Sequence, residues 1–430
     1  MNEPIIYVYE SQIREVHRSS PGGTSALGFA LDSGDVFHVH THTPTVAPSG
    51  YPCATHLRFV EEIPSLASDR GAILRAREEI LTAREELRES PLLLIFFAVK
   101  ESEVQARGFF LVGEDIRSEA KIAYIPDRAE LYSRSKGLLE LSVLDRKRVA
   151  VVGLGSGGST IAVELAKAGV GEFVLIDFDR LELSNVARHV CGIGDLGRYK
   201  TNAVRDQLLG KNPHLNITTA ELDINESLSE TRSLLESVDL IIAATDNNRS
   251  RFNLNQLALE SQTPAIFGRA LVRATGGDVL RVRPFEGPCL ACVFSNSMLE
   301  ERQEEVSQFR QARDANPAYV SDAQVEATVQ VGLSSDILPI STMMVKLALQ
   351  ELSRGTESGI ASLEEDLIAD YFIWANRREG TYKSWPLMQY DFKTPSVLRW
   401  YGVKADRKPA CLVCGESLAV SEGENMFAPS

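Results

Sequence analysis

The chain has 430 residues, 44% of them hydrophobic and 24% charged, with 45 basic against 59 acidic side chains and a formal net charge of −14. That length allows two or three domains with buried cores, and the acidic balance excludes a general nucleic-acid binder, which needs a basic footprint. No basic start precedes an apolar run at the N-terminus, and the longest apolar run, Pro91–Val99, falls far short of the ~20 residues that span a bilayer, so neither a secretory signal nor a membrane segment is expected and a cytoplasmic protein is implied.

In chain order, residues 1–125 read as a small α/β domain. Apolar runs at Ile5–Val8, Gly28–Leu31, Val36–Val39, Leu92–Val99 and Gly108–Val112 predict strands. The charged stretch Ser68–Ser90, with apolar Ile73, Leu74, Ile80, Leu81 and Leu87, predicts a helix. Leu131, Leu138, Leu139, Leu141 and Leu144 predict a connecting helix within Ile125–Lys147. The signals strengthen from Arg148. Val149–Val152 is a β-branched run, Gly153-Leu154-Gly155-Ser156-Gly157-Gly158 follows it, and a helical pattern then reaches about Ala168. Phe173–Ile176 reads as the next strand and ends in Asp177-Phe178-Asp179. This is a βαβ unit of a doubly wound, Rossmann-like sheet. Further strands are predicted at Ile217–Ala220, Leu240–Ala244 and Ala265–Phe267. The fold class is therefore α/β: a mixed-sheet domain over 126–355, the smaller domain before it, and a C-terminal extension over 356–430.

Gly153, Gly155 and Gly158 match G-x-G-x-x-G between a strand and a helix, where close backbone approach and unpaired helix N–H groups suit a phosphate. Asp177 ends the second strand, where a ribose acceptor is expected. A nicotinamide-dependent oxidoreductase and a nucleotide-activating enzyme both fit to this point. The residues beyond fit the second better. Asn185, Arg188, Lys200, Asp246 and Asn247 fall at strand ends or loops, and two fixed cations with an acid suit a triphosphate and Mg²⁺.

The stretches LYSRS (131–135), GLGSGG (153–158), LIDFD (175–179), LSNVAR (183–188), GRYK (197–200) and ATDN (244–247) carry a resemblance. So do CLAC (289–292) and CLVC (411–414). Residues 130–350 resemble the adenylating domain of the MoeB/ThiF/HesA group, bacterial relatives of ubiquitin-activating enzymes. The resemblance implies that ATP adenylates the C-terminal glycine of a small ubiquitin-like or sulfur-carrier protein and releases pyrophosphate. It gives the phosphate-side loop to Gly153, Gly155 and Gly158, and the ribose to Asp177, with Asp179 beside it. Asn185, Arg188 and Lys200 would contact the triphosphate, while Asp246, followed by Asn247, would bind Mg²⁺ and position the α-phosphate. Helix capping is the alternative use of Asp246. Arg134 would reach into a partner's ATP site, making the working unit a homodimer. A non-catalytic nucleotide-binding scaffold is the alternative reading, against which the retained Arg188, Lys200 and Asp246 argue.

Of six cysteines, four form the two C-x-x-C pairs, Cys289/Cys292 and Cys411/Cys414. They offer four thiolates for a structural zinc ion that would pin the C-terminal tail. Relatives commonly carry a further cysteine after the first pair as a thioester acceptor, but residues 293–410 contain none. Cys191 is a weak substitute, and Cys53 has no evident role. The charged stretch Leu299–Asp314 reads as a crossover loop over a bound tail or as a solvated helix.

His38, His40 and His42 alternate, with Ser49 and His56 downstream, and loosely resemble the zinc motif of JAB-type deubiquitinating proteases. Thr43 intervenes before Pro44, and Pro52 stands where an aspartate is needed. A degenerate JAB-like or docking domain is the expectation. These features lean toward a ubiquitin-like conjugation pathway with a conjugating enzyme as further partner, against sulfur transfer for molybdopterin, thiamin or tRNA.

Overall fold

The structure, a computed structural model, describes residues 4–31, 35–42, 50–100, 103–125, 131–294 and 332–415. The chain forms two compact units, Met1–Ser133 and Arg134–Ser430.

In the first unit, β1 (Ile5–Tyr9), β2 (Thr24–Ala30), β3 (Val36–His40), β4 (Tyr51–Phe59), β5 (Leu92–Val99), β6 (Val104–Val112) and β7 (Asp115–Ile125) close into a barrel in the order β1-β3-β2-β4-β5-β6-β7. The continuous apolar run of β5 has a simple cause: both of its faces are buried. Leu93, Ile95 and Phe97 pack with Ile6, Val8, Phe37 and Val39. Leu92, Leu94 and Phe96 pack against Ile73, Ala76 and Ile80 of the helix Arg70–Ala83. The sequence pattern missed β4, β7 and the helix Glu10–Ser19. Polar residues interrupt all three, because one side of each faces water.

In the second unit, β8 (Arg148–Val152), β9 (Glu172–Ile176), β10 (Asn216–Ala220), β11 (Leu240–Ala243), β12 (Ala265–Ala270), β13 (Gly276–Val282), β14 (Tyr371–Ala375) and β15 (Arg399–Val403) form one sheet. Its order is β10-β9-β8-β11-β12-β13-β14-β15. The pairs from β10 to β12 are parallel, and those from β12 to β15 are antiparallel. Helices Ser156–Ala168 and Ser334–Leu352 pack together on one side through Ile161, Leu165, Met344 and Leu347. On the other, Leu254, Leu257 and Ala258 of the helix Asn248–Glu260 pack against Ala150, Val152 and Ile241. Coverage of both faces makes the sheet doubly wound.

The expected connecting helix is not continuous over the described residues 131–147. Within 131–147 there is a 3-10 turn at Ser133–Ser135 and a single α turn at Leu141–Leu144. Between them Gly137 takes φ 88°, a left-handed conformation that stops helix propagation.

β13 is tied to the C-terminal helices by buried charge. Arg281 donates to Asp370 (2.8 Å) and Gln350 (2.6 Å), and Arg283 donates to Glu351 (2.8 Å) and Glu364 (2.6 Å). The hydrogen bond from Arg283 holds the Glu364 carboxyl below its usual value of 4.5. A group depressed on folding adds stability above its unfolded pKa and loses it as pH falls through the folded one. Glu364→Gln is thus expected to lower the thermal midpoint near neutral pH. The gap from the parent should close well below pH 4.5, and a gap independent of pH would refute this assignment.

Candidate functional site

β8 ends at Val152 and the chain turns at Gly153, whose φ is 86°. A side chain at Gly153 would meet Ala244 O at 2.8 Å, and one at Gly158 would lie 1.8 Å from Gly153 O. Gly155 differs, since nothing lies within 4 Å of where its β-carbon would stand. Two glycines therefore serve packing, and the third leaves an open approach to the first turn of helix Ser156–Ala168. No side chain caps that turn, so its N–H groups and the helix dipole face the opening.

Asp177 accepts the Leu154 N–H (2.6 Å) and the Asp179 N–H (2.8 Å). Burial raises its pKa, with Lys200 opposing. It holds the loop, and the cavity beside the loop is lined by Asp179 two residues on. His189 braces the same loop. Its Nδ1 accepts the Cys191 N–H (3.1 Å), so its proton sits on Nε2 and is donated to Leu154 O (2.7 Å). Burial lowers the His189 pKa, in keeping with a neutral ring.

The cavity measures about 490 Å³. Arg188, Lys200 and Asp246 come together around it, with Gly155, Asp179 and Asn185. Lys200 is buried at the start of the helix Lys200–Leu209, and its Nζ lies 2.7 Å from Asp179 Oδ2. Asn185 Oδ1 accepts the Glu182 N–H (3.0 Å), which closes the turn Leu183–Val186 below the cavity. The capping role considered for Asp246 belongs to its neighbour: Asn247 accepts the Ser250 N–H at 2.8 Å. Asp246 is exposed to the cavity. Among the described residues that line it, Asp177, Asn247 and the exposed Arg134 do not figure.

Sequence reasoning missed Arg251. It is buried one turn into the helix Asn248–Glu260, donates to Asn248 Oδ1 (3.1 Å) and to Thr245 O, and lines the cavity as a further cation. Its signal was one of two arginines, Arg249 and Arg251, in the first turn after ATDN, hidden among ordinary helical polar residues. Thr245 lines the cavity too, and its hydroxyl is buried without a hydrogen-bond partner.

Cys289, Cys292, Cys411 and Cys414 are all buried, and their sulfurs lie within 4.8 Å of one another. The separations are 3.8 Å for 289–292, 3.7 Å for 289–411 and 3.4 Å for 292–414. These are too long for disulfides. Four sulfurs ~2.3 Å from a tetrahedral ion would sit ~3.8 Å apart, and N–H groups of Lys408 and Val413 point at Cys292 and Cys411. Cys191 is 2% exposed, and burial foremost, then Asp195, pushes its thiol up to about 12. It is poorly suited to accept an acyl group.

In the first unit, His38 packs edge-on to Tyr7 at 5.4 Å, and His40 lies against Tyr9 and Phe29. His42 meets Glu15 at 3.9 Å. Among the described residues only the cysteine set groups three or more potential ligands closely enough for a metal. Ser49 and Leu299–Asp314 lie outside the described residues.

Residues 130–366 match the ThiF family. The adenylyltransferase and sulfurtransferase MOCS3 of Culex quinquefasciatus is 32% identical over 171 residues, 38% of each chain. Ubiquitin-like modifier-activating enzyme 5 of Caenorhabditis elegans is 29% identical over 38% of this chain and 42% of its own. The molybdopterin-synthase adenylyltransferase of Escherichia coli is 33% identical over 35% of this chain and 59% of its own. The chain thus spans less than two thirds of the length of each of these relatives. A crystal structure of E. coli MccB with ATP aligns with a TM-score of 0.45 at 18% identity, covering 64% of this chain and 68% of that one. The family match takes in more than half of the chain, including the glycine turn, Arg188, Lys200 and Asp246, and on that ground the chain belongs to the ThiF family.

Proposed function

We propose that this chain uses ATP and Mg²⁺ to adenylate the C-terminal carboxylate of a small ubiquitin-like or sulfur-carrier protein, releasing pyrophosphate. The observation that carries the reading is the convergence of Arg188, Lys200 and Arg251 with Asp246 on one cavity beside an open helix N-terminus. The names borne by the relatives agree with it.

A carboxylate oxygen of the terminal glycine attacks the α-phosphorus. The bond from that phosphorus to the bridging oxygen breaks, and pyrophosphate leaves with the electron pair. No side-chain nucleophile is needed, because the carboxylate is ionised at neutral pH. The three cations hold the phosphate charge, and the N–H groups at Gly155–Gly157 add the helix dipole, so catalysis is positioning and charge stabilisation. Asp179 keeps Lys200 in place through its ion pair. Asp246 would hold Mg²⁺, which supplies charge neutralisation on the phosphates when bound. Zinc would occupy the four thiolates as a structural ion, and Arg134, exposed in its own chain, would complete the cavity of a second copy in a homodimer. The buried Cys191 favours release of the adenylate to an external acceptor.

The test is ATP–pyrophosphate exchange with purified ubiquitin-fold proteins that end in glycine. Exchange should require both the terminal glycine and Mg²⁺. Nucleotide binding with no exchange for any of them would favour a non-catalytic scaffold.

A further inference from the structure

The backbone groups around the glycine turn can be followed to their partners one at a time. Gly153 N–H donates to Ile176 O (2.9 Å) and Leu154 N–H to Asp177 Oδ2 (2.6 Å), while Leu154 O accepts from His189 Nε2 (2.7 Å). The next donor along, the Gly155 N–H, has no acceptor among the described residues. The protein thus holds the turn up to Leu154 O and leaves one donor over, at a glycine that lines the cavity.

Leu154 O and the Gly155 N–H belong to one peptide unit, which is planar and trans, so the two point in opposite directions. A donor gripping the carbonyl from one side therefore fixes the N–H toward the other. Asp177 cannot set this peptide, because it holds the one before it. His189 does, and it arrives from another part of the chain. Its own N–H donates to Asn185 O (3.0 Å), so the turn that brings Asn185 and Arg188 to the cavity also carries the ring to the loop.

The grip depends on the charge of the ring. Nδ1 accepts the Cys191 N–H (3.1 Å), which leaves Nε2 as the donor of a neutral imidazole. A proton added at Nδ1 would meet that N–H donor to donor. Burial opposes the charged ring most strongly, and Lys200 on the helix Lys200–Leu209 opposes it too. The Leu154 carbonyl and Asp195 on the turn Ile193–Asp195 favour it, and the net effect holds the pKa below its ordinary 6.5.

We propose that His189 is a positioning residue for nucleotide activation: through the Leu154 carbonyl it aims the Gly155 N–H into the cavity, and it does so only as the neutral ring, so that uptake of one proton releases the loop. This rests on the adenylation reading for the anion that the N–H meets.

Two variants of the full chain separate the ring nitrogens. The amide nitrogen of H189Q stands where Nε2 does and can still donate to Leu154 O, without titrating. The amide oxygen of H189N stands where Nδ1 does and can accept the Cys191 N–H, but its side chain is too short to reach the carbonyl. The probes are ATP with Mg²⁺, for affinity by calorimetry, and ubiquitin-fold proteins ending in glycine, for pyrophosphate exchange, both between about pH 5 and 8. At the alkaline end H189Q should match the parent. H189N should lose about tenfold or more in kcat and in ATP affinity, short of the ~10²–10³-fold of a donor removed outright, with KM for the protein substrate unchanged. As pH falls below 6.5 the parent should lose activity relative to H189Q, since titration of ATP itself affects both alike. Parent-like kcat and ATP affinity in H189N overturn the proposal, as does an H189Q that loses as much as H189N. So does a ratio of parent to H189Q that stays constant with pH. Absence of exchange with every protein probe overturns the adenylation reading instead, and the ATP affinities of the two variants then still decide the role of His189.

Discussion

Changing Asp246 to alanine should reduce pyrophosphate exchange by about 10²–10³-fold, the scale of losing one well-placed group that stabilises transition-state charge. Folding should be untouched. Asp246 faces the cavity, and the helix behind it is capped by Asn247 through Ser250, so the thermal midpoint of the variant should equal the parent's. Lys200→Met should fall in the same range while leaving Asp179, which is half-exposed, able to find water. Because both residues act on one array of phosphates, the double variant should lose much less than the product of the single losses. Steady exchange rates for the three proteins, with midpoints measured alongside, decide the matter. Full exchange in Asp246→Ala would remove the metal-binding role given to that carboxylate.

The second large effect concerns the cysteines. Cys411→Ser should abolish zinc retention, measured by metal analysis of protein purified without added metal, and should sharply lower the unfolding midpoint. Structural zinc contributes ~10–16 kcal/mol to folding in small modules, and a serine hydroxyl cannot replace a thiolate. The damage should concentrate where the cluster holds the chain. Amides of residues 404–415 should exchange quickly, while those of β8 and β11, at the centre of the sheet, should stay protected. A strong chelator should reproduce the phenotype in the parent. Metal-free protein of unchanged stability would show that four close thiols merely fill a pocket.

What could be read from the sequence follows the strength of local signals. β8, its glycine turn and the helix Ser156–Ala168 were visible because a buried parallel strand, a positive-φ glycine and an amphipathic face each leave their own mark. Arg188, Lys200 and Asp246 were legible through short motifs, and the structure gathers them on one cavity. Elsewhere the information lay in tertiary contacts. β13, β14 and β15 pair over long sequence separations, and the residues of β13 read as neither period. Asp177 and Asp179 are alike in the sequence. Only the backbone N–H groups of Leu154 and Asp179 reveal that the first braces the loop while the second meets the cavity. Barrel closure in the first unit was likewise hidden, since β7 must pair in parallel with β1, the other end of that unit.

The cysteine pairs lie 122 positions apart along the chain. At 5–20 residues per second, a ribosome would need roughly 6–24 seconds to deliver Cys411 after Cys289. During that interval the emerging polypeptide carries two unclaimed thiols and gains β14 and β15 only late, so oxidant exposure in synthesis would be more damaging than the same exposure after release.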